Sequence, residues 1–421
     1  MPEASATGKR SKFRTVRAVL THRHRLRALG LLFALLAGGA VWAAPQVRAW
    51  RHLRAAREEL EHYHTAQAIR HLKVCREYWP GDPEVLLLAA RASRRATVYG
   101  DTERLLSQYE KAQGRDDAYH FERLLLDAET NQDKVVDRCW KLVEGGHPES
   151  PLLMESLARG YMRRYRLGLA RRCLDRWSES QPDNPQLHYL NGLFHLDYAH
   201  SASAAVESYG RAVELDPDHE EARLGLAVAL LLRKEYAKAA EQFERIRQVQ
   251  PDNDRVLVGL AECREGLGDA AEAVRMVDEV LARKPDFLSA LSLRGQLAFR
   301  QEQYAAATEW LRQAVRRNPA DQQARYNLAL ALEWSGHTDE AREYKEQFER
   351  MKQDLARFND IVTGDIAKRP ADPALHRELG QILVRSGQRE EGARWFQSAL
   401  QIDPAYAPAR RDLAALQGTG P

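Results

Sequence analysis

The stretch EEARLGLAVALLLRKEYAKAAEQFERIRQVQP, Glu220–Pro251, sets out the plan of the chain. A first helix presents Ala222, Leu226, Ala227 and Leu230 on one face, and a second presents Ala239 and Phe243. Pro251 closes the unit because proline cannot continue a helix. The next stretch repeats the plan with Leu257, Leu260, Ala261, a turn at Gly268, then Ala273 and Pro285. Outward from there the prolines keep time. Pro148, Pro182, Pro217, Pro251, Pro285 and Pro319 follow one another at an even step, stretched by a single position between Pro182 and Pro217. Pro80 falls two such steps before Pro148, and Pro370 and Pro404 restart the series. Ala170, Ala205, Ala239, Ala273, Ala307 and Ala341 run in parallel. A fixed period of about 34 residues marks helix–turn–helix units that stack, each burying its apolar face against its neighbours.

The last unit, HRELGQILVRSGQREEGARWFQSALQIDP (His376–Pro404), shows the same order of Leu379, Gly380, Leu383, Gly387, Gly392, Phe396, Ala399 and proline. These small, large, glycine and proline positions resemble those of the tetratricopeptide repeat, from about residue 49 to the end, in ten units. The expected fold is all-α: a right-handed superhelical solenoid of such repeats, with one N-terminal transmembrane helix. Small residues such as Gly380 and Ala239 would let helices approach, and Phe243 or Phe396 would fill the gap between repeats. The expected organisation is a basic disordered segment 1–27, a span 28–47, divergent repeats 48–184 and regular repeats 185–355. An extended helix and linker 356–372, a final repeat 373–406, a capping helix 407–417 and a disordered tail 418–421 complete it.

The span rests on the stretch from Ala28 to Val47, which carries no charge. About 20 apolar residues cross a bilayer as a helix, and this stretch has that length. Trp42 and Trp50 suit an interfacial belt on the far side. A cleaved signal peptide ending near Ala43 or Ala44 is the competing reading. Lys9, Arg10, Lys12, Arg14, Arg17, Arg23, Arg25 and Arg27 precede the span, so the positive-inside bias favours a cytoplasmic N-terminus. The repeats would then lie outside the cytoplasm, in a bacterial periplasm. Gly30, Ala34 and Gly38 share one face of the span and suit helix pairing in lipid.

Composition and motifs exclude several functions. The net charge of +3 gives no bulk attraction to nucleic acid, so no nucleic-acid partner is expected. Cys75, Cys139, Cys173 and Cys263 are too few and too dispersed for a disulfide framework and read as small core residues. No phosphate-binding loop, HExxH helix, CxxC pair or Gly-x-Ser-x-Gly elbow is present. No catalytic residue, metal site or cofactor is therefore expected. An enzyme with a cryptic site would need polar residues that the fold brings together.

Function then falls to the solenoid surface. The resemblance implies that the first helix of each repeat lines a concave groove for protein or peptide partners. Carried over, its groove positions fall on Arg91, Arg94, Arg95, Arg159 and Arg163, then Tyr189, Leu193, Leu224, Val228 and Leu231. Gln296, Tyr326, Leu330 and Trp334 follow. The arginines would favour an acidic peptide, and replacing Arg94 or Arg163 would leave stability almost unchanged. Asn327 matches an asparagine of the carboxylate clamp of chaperone-binding members, though the clamp lysines are absent. Between Pro319 and Pro370 the lattice gains half a repeat beyond its usual step. There Ala341, Tyr344, Phe348, Met351, Leu355, Phe358 and Val362 alternate steps of three and four. This seam fits a long helix laid on the final repeat, or a projecting helix that pairs with a second copy.

Overall fold

The computed structural model describes residues 45–131, 134–199 and 201–418. Helix follows helix throughout, with no strand among these residues. The chain divides into two compact units: up to Tyr161 plus Leu169–Trp177, and Met162–Gly168 plus Ser178 onward. The first holds α1 (45–61), α2 (Thr65–Tyr78), α3 (Pro83–Arg95), α4 (Tyr99–Gln113), α5 (Asp117–Thr130) and α6 (Val136–Glu144). Helices α7 (Ser150–Arg163) and α8 (Leu167–Ser180) contribute to both.

The second unit continues with α9 (Pro185–Leu193), α10 (Ala202–Leu215), α11 (Glu220–Leu232), α12 (Tyr236–Val249), α13 (Asp254–Gly266) and α14 (Ala270–Arg283). Then come α15 (Leu288–Arg300), α16 (Tyr304–Arg317), α17 (Gln322–Trp334), α18 (Thr338–Asp360) and the short α19 (Ile366–Lys368). Helices α20 (Pro373–Arg385), α21 (Arg389–Ile402) and α22 (Ala407–Gly418) end it. The architecture is an all-α helical repeat solenoid of tetratricopeptide type.

The punctuation of the lattice is physical. The lattice prolines follow the ends of second helices, and two places after six of them Asp82, Asn184, His219, Asn253, Asp321 and Asp372 cap the next first helix, whereas Phe287 stands there without a side-chain cap. The backbone N–H of Ala324 donates to Asp321 Oδ1 at 2.9 Å, and that of Gln186 donates to Asn184 Oδ1 at 2.9 Å. Each cap satisfies a donor that the first helical turn leaves open. Within the pair the turn is a Schellman ending: Glu235 N–H donates to Leu230 O and Lys234 N–H to Leu231 O, both at 2.9 Å. That ending needs a left-handed residue. Gly268, Gly336 and Gly387 supply it, and at equivalent turns Tyr63, Thr97, Tyr165, Lys234 and Glu302 adopt it at φ between 53° and 64°.

Packing follows the small positions. Tyr209 of α10 fills the space beside both Gly192 of α9 and Gly225 of α11; a Cβ on either would lie 2.5 Å from its ring. Phe243 of α12 does the same to Gly259 of α13, one pair further on. Ala239, Phe243 and Ile246 are buried in one continuous core with Val256, Leu257, Leu260 and Ala261. All four cysteines are buried and free. Burial pushes the Cys139 thiol up to about 11 and those of Cys173 and Cys263 up to about 12, so none is a ready nucleophile.

The extra residues after Pro319 form one helix. α18 runs 23 residues, then a π-helical turn, Ile361–Asp365, leads into α19. The seam is divided between two neighbours. Ala341 and Tyr344 join the main core, and Phe348 lies 4.9 Å from Tyr326 by ring centroids. Phe358, Ile361 and Val362 pack with Leu375, Leu379 and Trp395 of the final pair. Tyr165 enters that same cluster, edge-on to Phe358 at 5.0 Å and to Tyr198 at 5.7 Å.

Among the described residues no helix is long and apolar enough to cross a membrane. The expected span at 28–47 lies almost entirely outside the described residues, as do Gly30, Ala34, Gly38 and Trp42.

A test of the packing is Gly380→Ala. Its Cβ would stand 2.5 Å from Phe396 and 2.9 Å from the carbonyl oxygen of Gly392. We expect a loss of about 1–3 kcal/mol in urea unfolding, as overpacking of this kind costs. Gly100→Ala meets open space and serves as the control; it should leave the midpoint within error or raise it.

Candidate partner-binding groove

Successive first helices of the second unit, α9, α11, α13, α15 and α17, pack on one another, whereas their partners α10, α12, α14 and α16 approach one another less closely. The first-helix side is therefore the shorter, concave side of this stack. The repeat interval places residues on it in columns. Tyr189, Leu224, Val258, Ser292 and Tyr326 form one column, and Leu193, Val228, Glu262, Gln296 and Leu330 form the next. Tyr189, Leu193, Leu224, Val228, Leu231, Gln296, Asn327 and Leu330 are half-buried, and Tyr326 is exposed. Leu224, Val228 and Leu231 lean on the core with one side. Trp334 is 64% exposed and stacks on Tyr304 at 5.5 Å. Large apolar side chains left this open are what a partner surface requires. The Asn327 side chain accepts from Gln323 Nε2 at 3.0 Å, with no lysine bound to it among the described residues.

The first unit uses the corresponding face differently. Arg94 is wholly buried, and Arg95 and Arg159 are 5% and 8% exposed, which corrects their assignment to an open groove. Three buried glutamates take them up. Arg94 Nε donates to Glu122 Oε1 at 2.7 Å, and its Nη1 reaches Glu129 and, at 3.0 Å, Ser156 Oγ. Arg91 Nε donates to the other oxygen of Glu122 at 3.1 Å. Arg159 Nε donates to Glu155 Oε1 at 3.3 Å, and Arg95 Nε lies 3.6 Å from Glu155 Oε2. The Arg95 guanidinium also covers the Tyr63 ring at 4.4 Å and donates to Leu60 O at 2.6 Å. Tyr99 OH donates to Glu129 Oε2 at 3.0 Å.

Burial opposes charge throughout this cluster, and its outcome differs by residue. Burial pushes the Glu122 carboxyl up, but Arg94 and Arg91 outweigh it and hold the group below its ordinary range. At Glu129 burial wins over Arg94 and Arg159, and the carboxyl is raised. Burial lowers Arg95 despite Glu155. A signal for the cluster was present in the lattice: Arg95 and Glu129 are one repeat interval apart, as are Glu122 and Ser156. Arg163 is half-buried and lies in the other unit.

Residues 230–297 and 195–254 match the tetratricopeptide repeat family, and residues 267–347 match subunit 3 of the anaphase-promoting complex, or cyclosome. Among curated proteins, ALBINO3-like protein 2, chloroplastic, of Arabidopsis thaliana is 24% identical over 34% of this chain and 27% of its own length. Protein FlbA of Caulobacter vibrioides is 25% identical over 51% of this chain and 33% of its own length. The chain thus spans about a third or less of these relatives. Among solved structures, a tetratricopeptide repeat protein from Parabacteroides merdae has a TM-score of 0.38 at 16% identity, covering 68% of this chain and 99% of that one. PilW, a type IV pilus biogenesis factor, has a TM-score of 0.41 at 19% identity, covering 47% and 91%.

The buried cluster predicts a large effect from one change. Arg94→Met leaves Glu122 and Glu129 buried without their main cation and should cost about 3–5 kcal/mol at neutral pH. In the parent, Glu122 is depressed, so its contribution is present above the unfolded carboxylate range and is lost as pH falls. In the variant that carboxyl is raised instead, so the penalty shrinks on acidification. Thermal unfolding followed by circular dichroism from pH 7 down to about pH 3, through the carboxylate range, checks both points. Equal stability of variant and parent at pH 7 would contradict the burial of this cluster.

Proposed function

We propose that the chain is a membrane-tethered scaffold that holds protein or peptide partners along the first-helix face of its second unit. The observation that carries this is the row of half-open apolar side chains from Tyr189 and Leu193 to Leu330 and Trp334 on the concave side. An extended or helical segment laid there would bury apolar surface on both molecules. In the first unit several of the corresponding positions are instead taken up by ion pairs. Neutralisation of Arg94, Arg95 and Arg159 removes most of the support for an acidic partner.

The tether is the uncharged stretch 28–47 behind its basic leader, which favours a single-pass protein with the repeats in the periplasm. A secreted adaptor, cut near Ala44, is the alternative. Association of copies would rest on Gly30, Ala34 and Gly38. The α18 seam supports it less, because Phe358 and Ile361 are engaged within their own chain.

Two measurements test the proposal. Replacing Leu193 and Leu330 together by Ser, outside the core clusters, should abolish recovery of partners cross-linked to the intact protein, with an unchanged circular dichroism spectrum. Recovery of the same partners by the double variant would exclude this face. Intact protein should also stay with membranes through carbonate washing; release, with a new N-terminus near Ala44, would favour the secreted form.

A further inference from the structure

Several charged side chains on and beside the concave face of the second unit are neutralised within the chain. Glu265 of α13 pairs with Arg300 of α15, and Glu333 pairs with Lys345 at 2.7 Å. Arg377 of α20 meets Asp412 of α22 at 2.7 Å, and Arg385 meets Asp354 at 2.6 Å. Glu262 departs from this pattern. It makes no hydrogen bond or ion pair with any described residue.

Its place is set by the lattice. Glu262 stands one repeat after Val228 and one before Gln296, with Leu193 and Leu330 at the ends of the same column. Val258, one turn earlier on α13, is 3% exposed, and Glu262 itself is half-buried. A carboxylate, with Gln296 after it, thus stands at the centre of a column whose other members Leu193, Val228 and Leu330 are apolar, one turn before Glu265, which has a cation. Burial alone pushes the Glu262 carboxyl up, so the fold gives up stability to hold a charge there. A local conflict of this kind, uncompensated inside the chain, is expected where a residue serves a ligand.

We infer that Glu262 receives a lysine or arginine from the groove's occupant, an amphipathic segment whose apolar face is broken by that one cation. The inference rests on the groove reading above and adds the occupant's chemistry to it. The columns beside Glu262 accept apolar side chains at Leu224 and Val228, so the cation must arrive embedded among them. A segment carrying aspartate or glutamate at that point meets like charge in a partly desolvated setting and is rejected. Chain-internal pairing of Glu265 and Arg300 leaves Glu262 as the discriminating charge.

The test uses the full chain and a phage-displayed random peptide library as the probe. Binders are selected on the parent, synthesised, and measured by fluorescence anisotropy. Those weakened by the Leu193→Ser, Leu330→Ser double change define the groove binders. We expect each groove binder to contain a lysine or arginine flanked by apolar residues. Changing that cation to Gln should weaken binding to the parent at least about tenfold and leave binding to Glu262→Gln unaltered. Glu262→Asp, which keeps the charge, should retain the preference, and circular dichroism confirms that both variants fold. Groove binders that lack a cation, or that lose equally on both proteins, overturn the role of Glu262 and leave the groove reading intact. If the double serine change weakens no binder, the groove reading fails and this inference with it.

Discussion

Tyr209 occupies the place of two missing side chains. Gly192 on one helix and Gly225 on another leave a gap that its ring fills, and the hydroxyl end is buried with it. Phe243 and Gly259 repeat the arrangement, and Leu311 and Phe396 fill the spaces beside Gly295 and Gly380 within their own pairs. A large residue from a second helix needs a small one on a first helix to receive it, within its own pair at Gly192, Gly295 and Gly380 and in the next pair at Gly225 and Gly259. Close packing at interior density makes this interlock intolerant of even one added methyl. Stacking, curvature and the columns on the concave face all depend on it.

Those columns are used in two ways. In the first unit they carry Arg91, Arg94, Arg95 and Arg159, and Glu122, Glu129 and Glu155 reach across to neutralise them. The face is given over to internal order. In the second unit the corresponding face carries Leu193, Leu224, Val228 and Leu330, which keep one side in water, and Leu224 and Val228 lean on the core. Buried ion pairs give little net stability against an apolar replacement, yet they are intolerant of losing one member. The first unit is thus specific in its geometry, and the second is open to a partner.

The architecture was legible from the sequence because its punctuation is local. Proline ends a helix by its own covalent structure, and a glycine or alanine admits a neighbouring helix by its own size. A common period of about 34 residues in both needs no long-range knowledge. The arginines were not legible in the same way. Read singly, Arg94 is a solvated groove residue; its burial depends on Glu122, Glu129 and Ser156 from two other helices. Recognising that required asking which columns oppose one another, and the one-repeat spacing of Arg95 and Glu129 was the available clue. The α18 seam shows a related ambiguity. Its heptad spacing describes an apolar stripe but not what covers it, and here the final helix pair does so at Phe358 and Ile361. Glu262 was visible only as one more glutamate until the pairing of its neighbours set it apart.

Tyr165 adds a long-range tie to an otherwise sequential stack. Helical repeats ordinarily touch only the next in line, so a stack frays from its ends and its stability is a sum of short-range terms. Here a left-handed turn residue, at φ 53°, is held between Tyr198 and Phe358, at the edge of the final pair. The terminal helices α18, α20 and α21 cannot then loosen without releasing an aromatic contact to a turn that precedes α9 in the chain. A linear series of couplings becomes a loop, and loss at the C-terminal end is felt at the opposite end of the same unit. Loosening of the last repeats is accordingly expected to be coupled to the start of the same unit rather than confined to its end.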